Sequence, residues 1–405
     1  TNLTTIRLNP NSRTVRRKSA ARRLGTRRLA PLLGLLLALA PFGGGVAAQE
    51  PADYDFHDSH FHLTNYVQEG TDIRDLVAMM GSTIGRSTVF GIPLQQQWSH
   101  SNTGDWAPYY YLQSDAPLYY YSFTDAHIAM AYKSLTPEQQ KRLDPMITGF
   151  NPADMYAADH IRRVLRTFPG VFSGIGEFTI HKEFVSSKIA GETASLTNPA
   201  LDRILDFAAE AGLVVILHND IDMPFPKPDQ EPYMLAQMKE LFQRHPDTTI
   251  IWAHIGLGRV VRPHAEQLAI VEKVCTDPSL SHVYMDISWD EVAKYATASP
   301  KSIQLTAKVL NRYPDRFLFG TDVVAPKSAD AMIAVYEAYQ PVIELLTPEA
   351  KYKVFKGNYE RLFDQAREKV RAWEKQTWLS PLPLHTGHQH PVRAYRPRHI
   401  NNNDW

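Results

Sequence analysis

From Asp53 onward, short apolar runs alternate with amphipathic stretches eight times. Few folds accept that rhythm. The runs are Tyr54–Leu63, Thr88–Pro93, Met146–Phe150, Val171–Ile180, Leu213–His218, Thr248–His254, His282–Ser288 and Arg316–Asp322. Several, Leu213–His218 above all, are apolar without alternation, as strands covered on both faces are. The stretches between them carry helical periodicity, for example Pro199–Ala211 closed by Gly212, and His264–Thr276. A strand followed by a helix, repeated eight times, predicts an α/β chain folded as a (β/α)8 TIM barrel over residues 49–378.

Two segments fall outside the rhythm. Residues 1–48 begin with a basic region ending at Arg27-Arg28, followed by an apolar run from Leu29 to Phe42 and small residues at Val46-Ala47-Ala48. That run is short for a membrane span and suits the apolar core of an export signal, so the expectation is a periplasmic protein with no stable membrane insertion after cleavage. The string Thr26-Arg27-Arg28-Leu29 leaves the Sec and twin-arginine routes both open. Residues 379–405 are rich in Pro, His, Arg and Asn and read as a disordered tail, with His385, His388, His390 and His399 as adventitious metal binders at most.

Composition narrows the partners. The 43 basic and 43 acidic side chains leave a formal charge of zero, which gives no reason to expect nucleic acid. A single cysteine, Cys275, excludes an internal disulfide framework and a cysteine-rich zinc site; it reads as a small core residue. Homo-oligomerisation is compatible with the sequence. The insertion from Leu94 to Tyr121, with Trp98, Trp106 and two Tyr triplets, reads as a cap over a site or as a packed excursion.

Polar residues collect where apolar strands end. His60 and His62 close the first run, Glu177 lies in Gly174-Ile175-Gly176-Glu177-Phe178, His218 and His254 end the fifth and sixth, and Asp322 ends the eighth. Barrel enzymes build their sites at this end of the strands. Alternation along a strand puts Asp58, His60 and His62 on one side. One such histidine is ordinarily structural. Four histidines with two acids are not, because an unpaired acid buried there costs several kcal/mol; a cation satisfies all six at once. Imidazole and carboxylate donors suit zinc first, with manganese, iron or nickel as the other candidates.

Asp58-Ser59-His60-Phe61-His62, His218, His254, Phe319-Gly320-Thr321-Asp322 and the late segment Val354–Phe363 with Asn358 together resemble the amidohydrolase superfamily, in its amidohydrolase-related branch. The resemblance spans Asp53 to Phe363. It implies a divalent metal held by His60, His62 and Asp322, with His218 on the same ion or on a second. Glu177, in a Gly-Ile-Gly-Glu-Phe context similar to the glutamate-bridged subtype, implies a site for two ions in which His218 and His254 serve the second. With one ion, His254 polarises the substrate instead.

The expected activity is hydrolysis of a small-molecule ester, lactone or amide by activated water. Asp322 is the expected proton carrier, and His254 is its partner in catalysis. The same branch contains decarboxylases, which is the alternative; an exported metal- or ligand-binding barrel without turnover is a third reading. Arg259, Arg262, Lys182 and Trp289 are candidate substrate contacts, the arginines for a substrate carboxylate. Asp58 is expected to orient a histidine or the strand, or simply to pack. Asp286 is expected to make a structural hydrogen bond, and Asn219 to be a supporting donor.

Overall fold

A computed structural model of the chain describes residues 53–65, 69–92, 121–182, 188–189, 192–222, 230–258 and 263–378. The N-terminal 48 residues, the aromatic insertion through residue 120, the tail, and Arg259 and Arg262 lie outside the described residues. The strands in chain order are β1 (Phe56–Asp58), β2 (Phe61–His62), β3 (Ile84–Val89), β4 (Leu143–Ile147), β5 (Gly174–His181), β6 (Lys188–Ile189), β7 (Glu192–Thr193), β8 (Val214–Asn219), β9 (Ile250–Trp252), β10 (Val283–Asp286), β11 (Phe317–Leu318) and β12 (Val323–Val324). Strands β1, β3, β4, β5, β8, β9, β10 and β11 are neighbours in that order, each pair parallel. The two ends of this sheet meet. Ser59 N–H donates to Phe319 O at 3.0 Å, and β2 pairs in parallel with β12, Phe61 opposite Val323. The eight strands thereby close as a (β/α)8 barrel, with β2 and β12 bridging the two ends of the sheet.

Local sequence explains why the helices lie where they do. In Pro199–Ala211, Asn198 accepts from Ala200 N–H, Pro199 starts the first turn, and Gly212 turns the chain at φ +76°. Alternation along β8 sorts its side chains. Val214 and Ile216 point into the barrel with Phe90, Met146, Ile251 and Leu318, while Val215 and Leu217 join the outer core beneath the helices. Tyr359, Leu362 and Phe363 of the closing helix Asn358–Trp378 plug the barrel from below. Each buried side chain of this plug stabilises by roughly 1.5–3 kcal/mol.

Several expected strands differ from the observed ones: the third starts earlier, at Leu143, the eighth divides into Phe317–Leu318 and Val323–Val324, and three others have an identifiable cause. The first run breaks between β1 and β2 because the Asp58 carboxylate accepts His60 N–H at 3.1 Å, in place of a ladder partner. The second strand starts earlier than expected, at Ile84, and hides charge: Arg86 pairs with buried Asp144 at 2.9 Å. The sixth strand stops at Trp252, and Ala253–Gly256 coils into a 3-10 turn. Cys275 is half buried beside the core, and burial pushes its thiol up to about 12, which leaves it inert.

Candidate metal centre

All six predicted polar residues reach one place at the C-terminal mouth of the barrel. Glu177 stands in the middle. Its Oε2 lies 3.6 Å from His60 Nε2 and 3.4 Å from His62 Nε2. Its Oε1 lies 3.4 Å from His254 Nε2 and is hydrogen-bonded by His218 Nδ1. Asp322 Oδ1 is 3.4 Å from His60 Nε2 and 3.1 Å from His62 Nε2, and its Oδ2 is 3.9 Å from His254 Nε2. Two donor sets contain Glu177, His60–His62–Glu177–Asp322 and Glu177–His218–His254, and a third grouping joins His60 and His254 to Asp286; in each the ligand atoms lie within 4.8 Å of one another. Glu177 belongs to the first two, one carboxylate oxygen to each.

The backbone is bent to make this possible. Gly176 sits at φ +112°, and a Cβ there would lie 2.2 Å from Ile216 O, so only glycine lets β5 press on β8 just before Glu177. A Cβ on Gly320 would stand 2.7 Å from His60 Cβ, so glycine also sets the approach of the last strand to the first. His254 (φ 56°), Asp322 (φ 55°) and Trp289 (φ 82°) occupy left-handed conformations without being glycine. Such positions cost on the order of 1–3 kcal/mol each and persist where neighbours over-determine them. Here Asp286 Oδ1 accepts His254 N–H at 2.8 Å, and His60 O accepts Asp322 N–H at 2.7 Å.

Each imidazole is held by its outer nitrogen. Asp286 Oδ2 takes His60 Nδ1 at 3.0 Å, Gly91 O takes His62 Nδ1 at 3.3 Å, Asp220 Oδ1 takes His218 Nε2 at 2.9 Å, and Ser288 Oγ takes His254 Nδ1 at 2.9 Å. The inner Nε2 atoms of His60 and His254 are buried with no hydrogen-bond partner among the described residues. Orphaned buried nitrogens are expensive unless something meets them. Nitrogens with their lone pairs aimed at a space walled by two carboxylates fit a divalent cation, and nitrogen with carboxylate oxygen is the donor mixture zinc prefers.

The electrostatics lean the same way. Burial pulls the His60 pKa down, but the carboxylates of Asp286 and Asp322 outweigh it and hold the ring well above its ordinary value. His62 is also raised, against burial, by Asp322 and Glu177. His218 is raised against burial and against Lys182 by Glu177 and Asp220. Burial would raise Glu177, yet His218 and the nearby rings of His254 and His60 hold it well below the carboxylate range; Asp322 is lowered against burial by His60 and His254. Only His254 falls below normal, chiefly through burial. The pocket thus calls for positive charge.

The remaining candidates separate. Lys182 and Trp289 are both buried, with the ammonium 4.9 Å from the ring centroid, and the Trp289 ring lies 5.0 Å from that of His254 and 6.4 Å from that of His218. These two substrate candidates therefore flank the second donor set. Asp58 touches no imidazole: it accepts Thr321 N–H at 2.8 Å and Thr321 Oγ1–H at 2.6 Å, and so ties the first strand to the last. Asn219 donates to Asp220 O at 2.8 Å, next to the acid that holds His218. Asp286 exceeds the structural bond expected of it, since it touches the His60 ring. Asp220 and Ser288 were not among the expected residues; their only signal is an acid or hydroxyl two places beyond His218 or Asp286.

The Amidohydrolase family model matches residues 58–365 of this chain. No curated protein matches the sequence. Among solved structures, the chain is similar to an uncharacterized TIM-barrel protein from Bordetella bronchiseptica, at 15% identity over 76% of this chain and 99% of that one, with a TM-score of 0.47. It is similar to 2,6-dihydroxybenzoate decarboxylase from Rhizobium, at 12% identity over 77% and 99% of the two chains, with a TM-score of 0.46. An amidohydrolase from Burkholderia multivorans with bound zinc shares 14% identity over 76% and 99%, with a TM-score of 0.46.

Proposed function

Because the chain belongs to the amidohydrolase family, we propose that it is a metal-dependent hydrolase that cleaves a carbonyl C–O or C–N bond of a small-molecule ester, lactone or amide. The observation that carries this reading is the division of Glu177 between two donor sets. His60, His62 and Asp322 with Glu177 Oε2 would hold one divalent ion, and His218 and His254 with Glu177 Oε1 a second, zinc being the first candidate for both. Bound there, the ions would supply Lewis acidity and a water of lowered pKa.

The chain's own groups do the rest. Asp322, held ionised by His60 and His254, accepts the proton of the attacking water and passes it to the leaving oxygen or nitrogen. Asp220 and Ser288 keep the rings of His218 and His254 aimed inward. Lys182 and Trp289, beside the second set, receive the remainder of the substrate, the ammonium taking a carboxylate and the ring a flat surface.

That last pair also favours a second reading, decarboxylation of an aromatic or enoic acid, in which carbon dioxide leaves and a proton is delivered to the carbon it vacates. One set of assays separates the two. Purified protein is analysed for transition metal, then offered a panel of lactones, esters and amides, and separately aromatic and enoic acids with carbon dioxide release recorded. Chelation is expected to abolish turnover and zinc to restore it. Turnover that survives complete chelation would sink both readings, and carbon dioxide release without hydrolysis would select the second.

A further inference from the structure

The two donor sets share more than Glu177. Behind them lies Asp286, fully buried on β10, and its two oxygens face different sets. Oδ2 receives His60 Nδ1–H at 3.0 Å, in the first set. Oδ1 receives His254 N–H at 2.8 Å, Ser288 N–H at 3.2 Å and Ser288 Oγ–H at 2.5 Å; Ser288 Oγ in turn meets His254 Nδ1 at 2.9 Å, in the second set. We infer that Asp286 is a positioning residue that couples the two half-sites, fixing the proton on His60 directly and on His254 through Ser288.

The protons can be assigned by elimination. An ionised carboxylate only accepts, so His60 Nδ1 must donate. The single hydroxyl proton of Ser288 is spent on Asp286, since otherwise two sets of lone pairs would face each other at 2.5 Å. Ser288 Oγ can therefore only accept from His254, and His254 Nδ1 must donate. When each ring carries a single proton, as a metal ligand does, the free lone pair is then on Nε2, and these are the two buried nitrogens left without partners among the described residues. One carboxylate presents a bare nitrogen to each half-site.

The arrangement is asymmetric, which makes it testable. Oδ1 serves three donors and Oδ2 serves one. In Asp286→Asn the amide oxygen belongs on the three-donor side, and the amide NH₂ then faces His60 Nδ1. That nitrogen must accept, so the ring proton moves to Nε2, where it points at the first ion. Ser288→Ala leaves His60 alone and releases only the His254 ring.

The inference rests on the two-ion reading above. Metal-free full-length protein is titrated with Co²⁺, followed by visible absorption and calorimetry, with zinc stoichiometry read by mass spectrometry and the metal-free melting point as a folding control. Wild type is expected to take two equivalents. Asp286→Asn should weaken one of them about 10–100-fold, the range for lost partners of ligating histidines. Ser288→Ala should weaken the other about 10-fold and leave the first within about two-fold. In a His62→Ala background, where the remaining tight equivalent is the second, Ser288→Ala should still act and Asp286→Asn should act least. Both single variants leaving both affinities within two-fold of wild type would overturn the coupling while the two-ion reading stands. A wild type that takes one equivalent overturns the two-ion reading and the coupling with it. Should Asp286→Asn not fold, Ser288→Ala carries the test alone: weakening of one equivalent at an unchanged melting point and an altered cobalt spectrum supports the coupling, and unchanged binding overturns it.

Discussion

Buried charge occurs at both ends of this barrel, and the two clusters are built on opposite terms. At the N-terminal end, Asp144 opens β4 under the closing helix. Arg86 gives it two hydrogen bonds, at 2.9 and 3.2 Å, Arg367 Nε another at 2.5 Å, and Tyr359 Oη another at 2.8 Å. Anions and cations come from the same chain: Arg86 also meets Asp364 at 2.6 Å, so two guanidinium groups face two carboxylates. At the mouth, Glu177, Asp286 and Asp322 face imidazoles, and two inner nitrogens have no hydrogen bond. The floor supplies its own cations. The mouth leaves two inner nitrogens facing its carboxylates, a donor arrangement that could hold a cation from outside.

The largest test of that contrast lies at the mouth. Asp322→Asn should lower turnover by up to about 10⁴-fold, or about 5 kcal/mol of barrier, while the urea midpoint hardly moves. A variant with full turnover would remove Asp322 from the chemistry. At the floor the effects should invert. Asp144→Ala takes the carboxylate from Arg367 and leaves Arg86 with Asp364 alone; with Arg367 30% exposed and open to water, a loss of about 3 kcal/mol of stability is expected, with metal content unchanged. Metal lost in step with stability would erase the distinction between the two ends.

Tyr359→Phe removes one neutral donor from the same carboxylate and should cost about 1.5–3 kcal/mol in denaturant unfolding. The last expected effect is one of pH dependence and concerns a carboxylate in neither cluster. Asp125 accepts Thr148 N–H and Gly149 N–H just beyond β4, and burial pushes it up to about 7. Folded protein then holds a proton that unfolded chain has released between about pH 4 and 7. Stability from this group is present below pH 4 and lost as pH rises through 7, by at most about 1.4 kcal/mol per pH unit. Asp125→Asn lacks that contribution, so the difference between the two stability–pH curves should change between about pH 4 and 7; parallel curves would show that Asp125 stays ionised.

Much of this could be read from sequence because a strand end is a local pattern. An apolar run that stops at His218 or at Gly-Thr-Asp322 locates its last residue without any knowledge of the rest. What could not be read depends on residues far apart. Arg86 made β3 look unlike a strand because its partner Asp144 is 58 positions away. Asp286 looked ordinary because His60 is 226 positions away. The left-handed bends at His254 and Asp322 leave no compositional trace, since glycine, the usual signal, is absent from both. Asp58 misled in another way. Strict alternation puts it beside the histidines, but its own bond to His60 N–H breaks the strand that alternation assumes.

The closure of the barrel also bears on how the protein is made. His60 and His62 emerge early in synthesis. Their partner Asp322 is held by His60 O, and Thr321 by Asp58, 263 positions back in the chain. A ribosome must therefore extrude nearly the whole barrel before the set His60–His62–Glu177–Asp322 can be complete, whereas Glu177, His218 and His254 have all been made by residue 254. An ion held by His60, His62, Glu177 and Asp322 would then mark a closed barrel and would not be a scaffold on which the early strands could assemble.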